Sequence, residues 1–442
     1  MIDSEPKIKV ALLQKCPESR MKLEGNFFLP DNRALTGKLS ARAENGQIVL
    51  ADSDGREVIR QKEIYLTPGA SSDAFFSVGD VKIGIDFHWQ RTQEQSFRGA
   101  LLLSMSGQND FHLINVVPLE DYLASVISSE MSAEAPLEFL KTQAVTARSW
   151  LIAMLAKKKA PRQTPPAMNA ENEIIAWQDV NDHEGFDVCA DDHCQRYQGI
   201  TRIISENVAR AIDATRGLFL VYSGEVCDAR YYKCCGGQTE IFSSAWENRS
   251  PAYLQSITDS DREHPPIQSE KDAADWLTSR PPAYCNTADA ELLGRILPAF
   301  DRETTHFYRW QTAYTREELE TILCKKSGID FGNLQHIIPL ERGPSGRIRR
   351  LKIIGSKRTV VVGKELEIRR WLSDSHLLSS AFIVAAEHDP DGRIRRFIFH
   401  GGGWGHGVGL CQIGAAVMAS QGYPAEKILT HYFRGAVLKK LY

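Results

Sequence analysis

No stretch of this 442-residue chain reaches the roughly 18 consecutive apolar residues that a bilayer-spanning helix needs, so no transmembrane segment is expected. The start, "MIDSEPKIKV", has no basic region leading into an apolar one, and no export leader is expected there. Charge of one sign is also missing. With 53 Lys and Arg against 56 Asp and Glu, the net charge of −3 exerts no general pull on nucleic acid, and no nucleic-acid partner is expected. Nine cysteines are too few to staple a chain of this length, and their odd number leaves at least one unpaired. Cys234 and Cys235 are neighbours with poor geometry for pairing with each other, so reduced thiols are expected, some of them on a metal. There is no internal repeat and no low-complexity tract.

What is present is a chain long enough for two or three lobes, with a texture that changes along its length. Short β-prone runs ("KIKVALL", "GQIVLAD", "EIYLT", "ALLLSM") separated by turn residues predict a β-rich region over 1–108. From Pro118 to about Lys157 the apolar spacing becomes helical and predicts two amphipathic helices around "MSAEAP", with Pro136 in the first turn of the second. A basic, proline-bearing loop follows at 157–172, and strands resume from about 200. Residues 261–340 read as an inserted α+β lobe, in which Thr315 and Glu318 have the form of a capping box. "GRIRRLKIIG" and "RTVVVG" predict a hairpin, and the end is a glycine-rich loop followed by two helices. The fold class expected is α+β. A β-rich N-terminal region precedes a mixed α/β core in two parts, 109–260 and 341–442, with 261–340 inserted between them.

One position breaks the helical pattern. Leu119, Leu123, Val126 and Ile127 share a helical face, and Glu130, eleven residues after Leu119, returns to it. A carboxylate on an apolar face is suited to general-acid work; a solvent-facing glutamate in the last turn is the plainer alternative. On the second helix Arg148 likewise returns to the stripe of Leu137, Leu140, Ala144, Ala147 and Leu151. An ion pair between Arg148 and Glu130 would make both structural, and the sequence leaves that open.

Two further stretches carry chemistry. "DVCADDHCQRY" brings Cys189, His193 and Cys194 within six residues, enough to hold one side of a zinc ion, though an ordinary pair of loop thiols has the same spacing. "KCCGGQTE" can add ligands through Cys234 or Cys235, and its Gly236 and Gly237 mark a tight turn that brings backbone close to something. "HGGGWGHGVGLCQIG" strips side chains from a loop while leaving Trp404, His406 and Gln412. The Lys and Ser/Thr of a phosphate loop are absent, and aromatic plus amide groups suit a neutral polyol such as a sugar.

Taken together, "NVVPLEDYLASVISSEMSAEAPLEFLKTQAVTARSWL" (115–151), "FDVCADDHCQRYQGI" (186–200), "YYKCCGGQTE" (231–240) and "GGGWGHGVGLCQIGAAVMASQGYPAEKILTHYF" (401–433) resemble the successive blocks of the SpoIID/LytB family. The resemblance implies a peptidoglycan lytic transglycosylase that cuts glycan strands beside N-acetylmuramic acid to leave 1,6-anhydro ends. It puts the catalytic acid at Glu130 of the Glu130–Met131 pair. It also implies a cleft lined by Arg148, Tyr197, Gln238, Glu240, Trp404, His406 and Gln412, and a structural rather than catalytic zinc on Cys189, His193 and Cys194. Expected partners are glycan strands or muropeptide fragments. The amidase-enhancer branch offers the alternative of a non-catalytic glycan-binding modulator of a cell-wall amidase. Such a substrate points to the cell envelope or periplasm, whereas the missing leader allows a trimmed form or cytoplasmic action on imported wall fragments. Residues 155–185 are longer and more polar than the family's link.

Overall fold

The computed structural model describes residues 3–69, 73–84, 90–158, 167–177, 183–203, 205–265, 267–304 and 306–442. The chain is α+β and divides into two compact units. The first comprises Met1–Arg148, Val180–Leu218 and Lys440–Tyr442, and the second Ser149–Asp179 and Phe219–Lys439.

The first unit is built on an 11-stranded sheet. Its outer strands show the period-two alternation expected of half-buried sheet: in Glu18–Phe28, Ser19, Met21 and Leu23 are buried while Glu18, Arg20 and Lys22 are exposed. The strand Phe111–Pro118 is buried at all but its last residue, because Lys7–Cys16 and Ala100–Met105 pair with it on either side and both its faces are covered. The short strand Val188–Cys189 adds in parallel to Val10 and Ala11 at the sheet's edge. Ala11, Leu102, Ile114, Phe186 and Cys189 share one apolar cluster there.

Helix α1 (Leu119–Glu130) leaves the sheet directly after Pro118. It is more deeply covered than the single apolar face predicts. Glu120, Ser125, Ser128 and Ser129 are buried along with Leu119, Leu123, Val126 and Ile127. Two of the serine hydroxyls find backbone partners: Ser128 Oγ donates to Ala124 O (2.7 Å) and Ser125 Oγ accepts from the Gln198 N–H (3.1 Å). Helix α2 (Leu137–Lys158) begins one residue later than the sequence suggests, with Pro136 before its first turn supplying a carbonyl to the Leu140 N–H.

The second unit holds a five-stranded sheet and a three-stranded antiparallel one. Trp310, Trp371, Phe382, Phe397 and Phe399 pack in its core with Leu351 and Ile353. Residues 261–340 belong to this unit: Arg309–Thr315 pairs with Ile394–Gly402 and Leu334–Arg342 with Ile348–Gly355, so the segment is woven into both sheets. The capping box forms, Thr315 and Glu318 exchanging side-chain and backbone bonds (3.2 and 2.8 Å) at the start of helix Arg316–Ser327. The predicted hairpin also forms, with Leu351–Ile354 antiparallel to Thr359–Val362. The glycine-rich loop leads into helices Gln412–Ser420 and Ala425–Tyr432. Of the 155–185 segment, 159–166 and 178–182 lie outside the described residues. Among those described, no helix is long and apolar enough to cross a membrane.

Candidate functional site

Glu130 ends α1 and is partly exposed, while Ser129 and Met131 on either side are buried. Its Oε1 accepts the backbone N–H of Arg196 at 2.8 Å. That N–H is delivered by a segment pinned along α1 at three further points. The Tyr122 hydroxyl donates to Gln195 Oε1 (3.1 Å), Arg196 Nη1 reaches Ser129 O (3.4 Å), and the Gln198 N–H meets Ser125 Oγ. Burial pushes the Tyr122 phenol well up and so keeps it a neutral donor.

The same segment begins as the cysteine and histidine loop. His183, Cys189, His193 and Cys194 offer donor atoms that all lie within 4.8 Å of one another, an arrangement that could hold a metal ion. His183 Nε2 is 3.1 Å and His193 Nδ1 3.5 Å from Cys194 Sγ. Cys194, and then His183 and His193, hold the Cys189 thiol far below the ordinary thiol range in spite of its burial. The loop is anchored by Cys189 in the sheet, by the Ala190 N–H on Ala11 O (3.1 Å) and by Asp191 Oδ1 accepting from the Gly84 N–H (3.0 Å). His183 was not anticipated from the sequence. The signal was its position six residues before Cys189, which turns a three-ligand loop into His-x5-Cys-x3-His-Cys.

Two residues expected to line a cleft are instead internal parts of the first unit. Arg148 is fully buried and turns to Glu120, not Glu130: Nε meets Oε1 at 3.0 Å and Nη2 meets Oε2 at 2.5 Å. Glu120 Oε1 also accepts from the Gly217 N–H (3.2 Å) and the Tyr442 hydroxyl (2.6 Å). A guanidinium walled in this way has no face left for a ligand. Tyr197 is buried too, stacked on Tyr122 with ring centroids 5.1 Å apart and donating to Asn115 Oδ1 at 2.5 Å. It holds the pinned segment against the sheet.

The remaining predicted residues sit in the second unit. Glu240 is fully buried, its carboxylate accepting from the Ile241 N–H (2.8 Å) and from the hydroxyls of Ser244 (2.9 Å) and Ser345 (2.6 Å). Burial pushes its carboxyl up, against the pull of Ser345. It clamps the turn around Gly343, where a Cβ would strike the Glu240 oxygens at 2.2 Å, so the residue expected to line a cleft is an internal brace. His406 accepts the Val408 N–H on Nδ1 (3.1 Å) and packs edge-on against Trp246 and Tyr232. Burial, reinforced by Arg230 and Arg347, pushes its imidazole well below the usual range, so the ring is neutral with its proton on Nε2. Trp404 is partly exposed, with Lys233 Nζ 5.7 Å from its ring centroid. Gln238 and Gln412 are buried, and Gln238 Oε1 and Gln412 Nε2 have no protein partner among the described residues. Such amides are candidates for a bound water or ligand hydroxyl. Cys235, expected to add a ligand to the first loop, instead gathers in the second unit with Asp259, Cys285 and Cys411, all buried.

Residues 107–222, which include α1, α2 and the whole cysteine and histidine loop, match the family model described as stage II sporulation protein. Residues 240–409 match a domain of unknown function, DUF8618. The stage II sporulation protein D of Bacillus amyloliquefaciens is 23% identical over 335 residues, covering 73% of this chain and 75% of the relative. That of Bacillus subtilis (strain 168) is 22% identical over 326 residues, with 73% and 75% covered. The amidase enhancer of Bacillus subtilis (strain 168) is 23% identical over 331 residues, 72% of this chain but 40% of the relative. The family model over residues 107–222, the ordered motifs and these relatives together support a place for the chain in the SpoIID/LytB family.

Proposed function

We propose that this protein is a peptidoglycan lytic transglycosylase with Glu130 as its acid and then its base. The observation that carries the reading is the position of Glu130: a partly exposed carboxylate, at the end of a largely buried helix, oriented by the Arg196 N–H. In this reading the Glu130 carboxyl gives its proton to the glycosidic oxygen as the bond to the N-acetylmuramic anomeric carbon breaks. The resulting carboxylate then takes the proton of the muramyl 6-hydroxyl as that oxygen closes on the anomeric carbon. No water enters, and one carboxyl serves both steps, unlike the paired carboxylates of ordinary glycosidases. Glu120 is not a second catalytic carboxylate, because Arg148 occupies it.

The first donor set suits zinc. Ligands at about 2.3 Å for sulfur and 2.0–2.1 Å for nitrogen in a tetrahedron stand roughly 3.6 Å apart, and the nitrogen to sulfur distances of 3.1 and 3.5 Å are near that value. Four protein ligands close such a site, so its role is to brace the loop that leads to Arg196, and a zinc hydrolase centred on His193 is disfavoured. Trp404, Gln238 and Gln412 are the residues of the second unit best suited to a sugar.

A modulator of a cell-wall amidase is the second reading, favoured by the likeness to a protein named amidase enhancer. Mass spectrometry of purified glycan strands, with and without stem peptides, separates the two. Anhydro-ended fragments from the native chain but not from Glu130→Gln support the transglycosylase. Intact strands that co-sediment with both proteins refute it and leave the modulator.

A further inference from the structure

The thiols of the second unit are gathered in a way the proposed reaction does not use. Cys235 and Cys285 sulfurs are 3.3 Å apart, and Cys235, Cys285, Cys411 and an Asp259 oxygen all lie within 4.8 Å of one another. All four residues are buried, and they come from four distant parts of the chain. A Cys411 beyond reach of solvent has no evident use as a nucleophile, and three thiols and a carboxylate crowded together without a common partner would be costly.

We infer that Cys235, Cys285, Cys411 and Asp259 form a second, closed metal site of three sulfurs and one oxygen, which takes a zinc-class divalent ion and ties the second unit together. The dimensions suit a single ion: two thiolates at about 2.3 Å in a tetrahedron are roughly 3.8 Å apart. Thiolates select soft or borderline metals, and the carboxylate favours zinc over a purely soft ion.

The surroundings are arranged as the shell of such a site requires. Asp259 is oriented by both oxygens: Oδ1 accepts from the Tyr432 hydroxyl (2.5 Å) and Oδ2 from the Cys285 N–H (2.9 Å). Two backbone N–H groups point at sulfur, that of Gly237 at Cys235 Sγ and that of Cys235 at Cys411 Sγ, each at 3.3 Å. Here the paired glycines find their purpose. Gly237 lies at φ 109°, where a Cβ would come within 2.9 Å of Trp276 and Tyr308, and its turn folds the chain around the Cys235 sulfur. Gly414 presents bare backbone to Asp259, since a Cβ there would meet Oδ1 at 2.5 Å. Two guanidinium groups offset the negative donor set. Arg347 donates to Cys235 O (3.2 Å) and Cys234 O (3.5 Å), and Arg309 to Gly236 O (2.9 Å). Cys234 stands beside the set without belonging to it.

The test uses the full chain purified under reducing conditions without chelator. Zinc analysis should find one ion per chain in Cys189→Ser/Cys194→Ser, where the first site is removed, and Cys285→Ser/Cys411→Ser should hold one ion fewer than the native chain. Cadmium exchange followed by cadmium NMR on the unmutated chain keeps the inference falsifiable should either variant fold poorly. A resonance in the range of three sulfurs and one oxygen supports the site. Absence of that resonance, or zinc content unchanged by Cys285→Ser/Cys411→Ser, overturns it. So does a Cys235–Cys285 disulfide in peptides of the native chain kept from reductant. Loss of glycan cleavage by itself bears on Glu130 and not on this site, so the two readings fail separately.

Discussion

Replacing Arg148 by methionine removes the cation from a carboxylate that has nowhere to turn. Glu120 and Arg148 have side chains 3% and 0% exposed, two nitrogen to oxygen contacts, and the Arg148 Nη1 bond to Leu218 O at 3.1 Å. The Gly217 N–H and Tyr442 hydroxyl remain on Glu120 in the variant, but neither is charged. A buried pair broken on one side costs about 3–5 kcal/mol. For a unit of this size that is roughly 6–20 °C in thermal midpoint, and a large share of the stability a domain usually has. Replacing both partners, in Arg148→Met/Glu120→Gln, leaves no orphaned charge and should recover most of the loss. Urea unfolding of the native chain, the two single variants and the double variant closes the cycle. Additive losses would refute the argument, since they would mean that each side chain acts alone. So would an Arg148→Met variant of native stability with weakened glycan binding, because that result restores Arg148 to the substrate surface.

Further outcomes follow from other parts of the molecule. Glu130→Gln should keep the native thermal midpoint and lose cleavage by about 10²–10⁴-fold, as removal of a general acid does; glycan digestion read by mass spectrometry measures it. Gly199→Ala should destabilise the first unit by more than about 1 kcal/mol, because Gly199 lies at φ 58° and a Cβ there would strike Ser96 O at 2.1 Å; scanning calorimetry reads the shift. His183→Ala should lower zinc content at the first site and slow glycan cleavage, and zinc analysis beside activity checks both. Acidification should loosen the second unit. Burial, with Arg369 and Lys326, pushes His376 down to about 3, and burial, with Arg434, pushes His431 down to about 4. Both then stay neutral when folded while the unfolded chain takes up protons below its ordinary value of about 6.5, so stability is lost as pH falls through that window. The loss amounts to ~2 kcal/mol for each at about pH 5, and urea midpoints across pH should fall accordingly. A flat profile between about pH 7 and pH 5 would contradict it.

Legibility in the sequence followed the physics of local pattern. Strands, helices, the Thr315 capping box and the hairpin were readable because each is decided within a dozen residues by periodicity or by turn chemistry. Three donors of the cysteine and histidine loop were readable because they lie within six residues, whereas His183 lay in a polar stretch with no periodic signal. Arg148 shows the limit of reading faces. Its helical position marked it as internal, but which of two carboxylates it would meet depends on how α1 and α2 cross, and no spacing encodes that. Glu240 shows the converse. The resemblance of its block put it in a cleft, and only the Ser345 turn, more than a hundred positions on, makes it a brace. The Cys235 set was the least legible, because its four donors are joined by tertiary folding alone.

The two units divide the chemical burden differently. In the first unit the polar groups are local to one helix: the chain leaves the cysteine and histidine loop at Cys194 and places the Arg196 N–H on Glu130 two residues later. A two-residue tether couples a shift of the loop to the Glu130 carboxylate, so in the proposed function a metal bound there would orient the acid without touching substrate. In the second unit the glycines are spent on close approach. Gly237 bends the chain around Cys235, Gly343 clears Glu240 and Gly414 clears Asp259. A glycine-rich sequence of this kind invites the expectation of a ligand loop, yet at these three positions the backbone has come close to the protein's own sulfur and carboxylate groups. These three glycines therefore mark where internal donor groups are held, and in the proposed function a sugar would be left to groups outside that arrangement, Trp404 foremost among them.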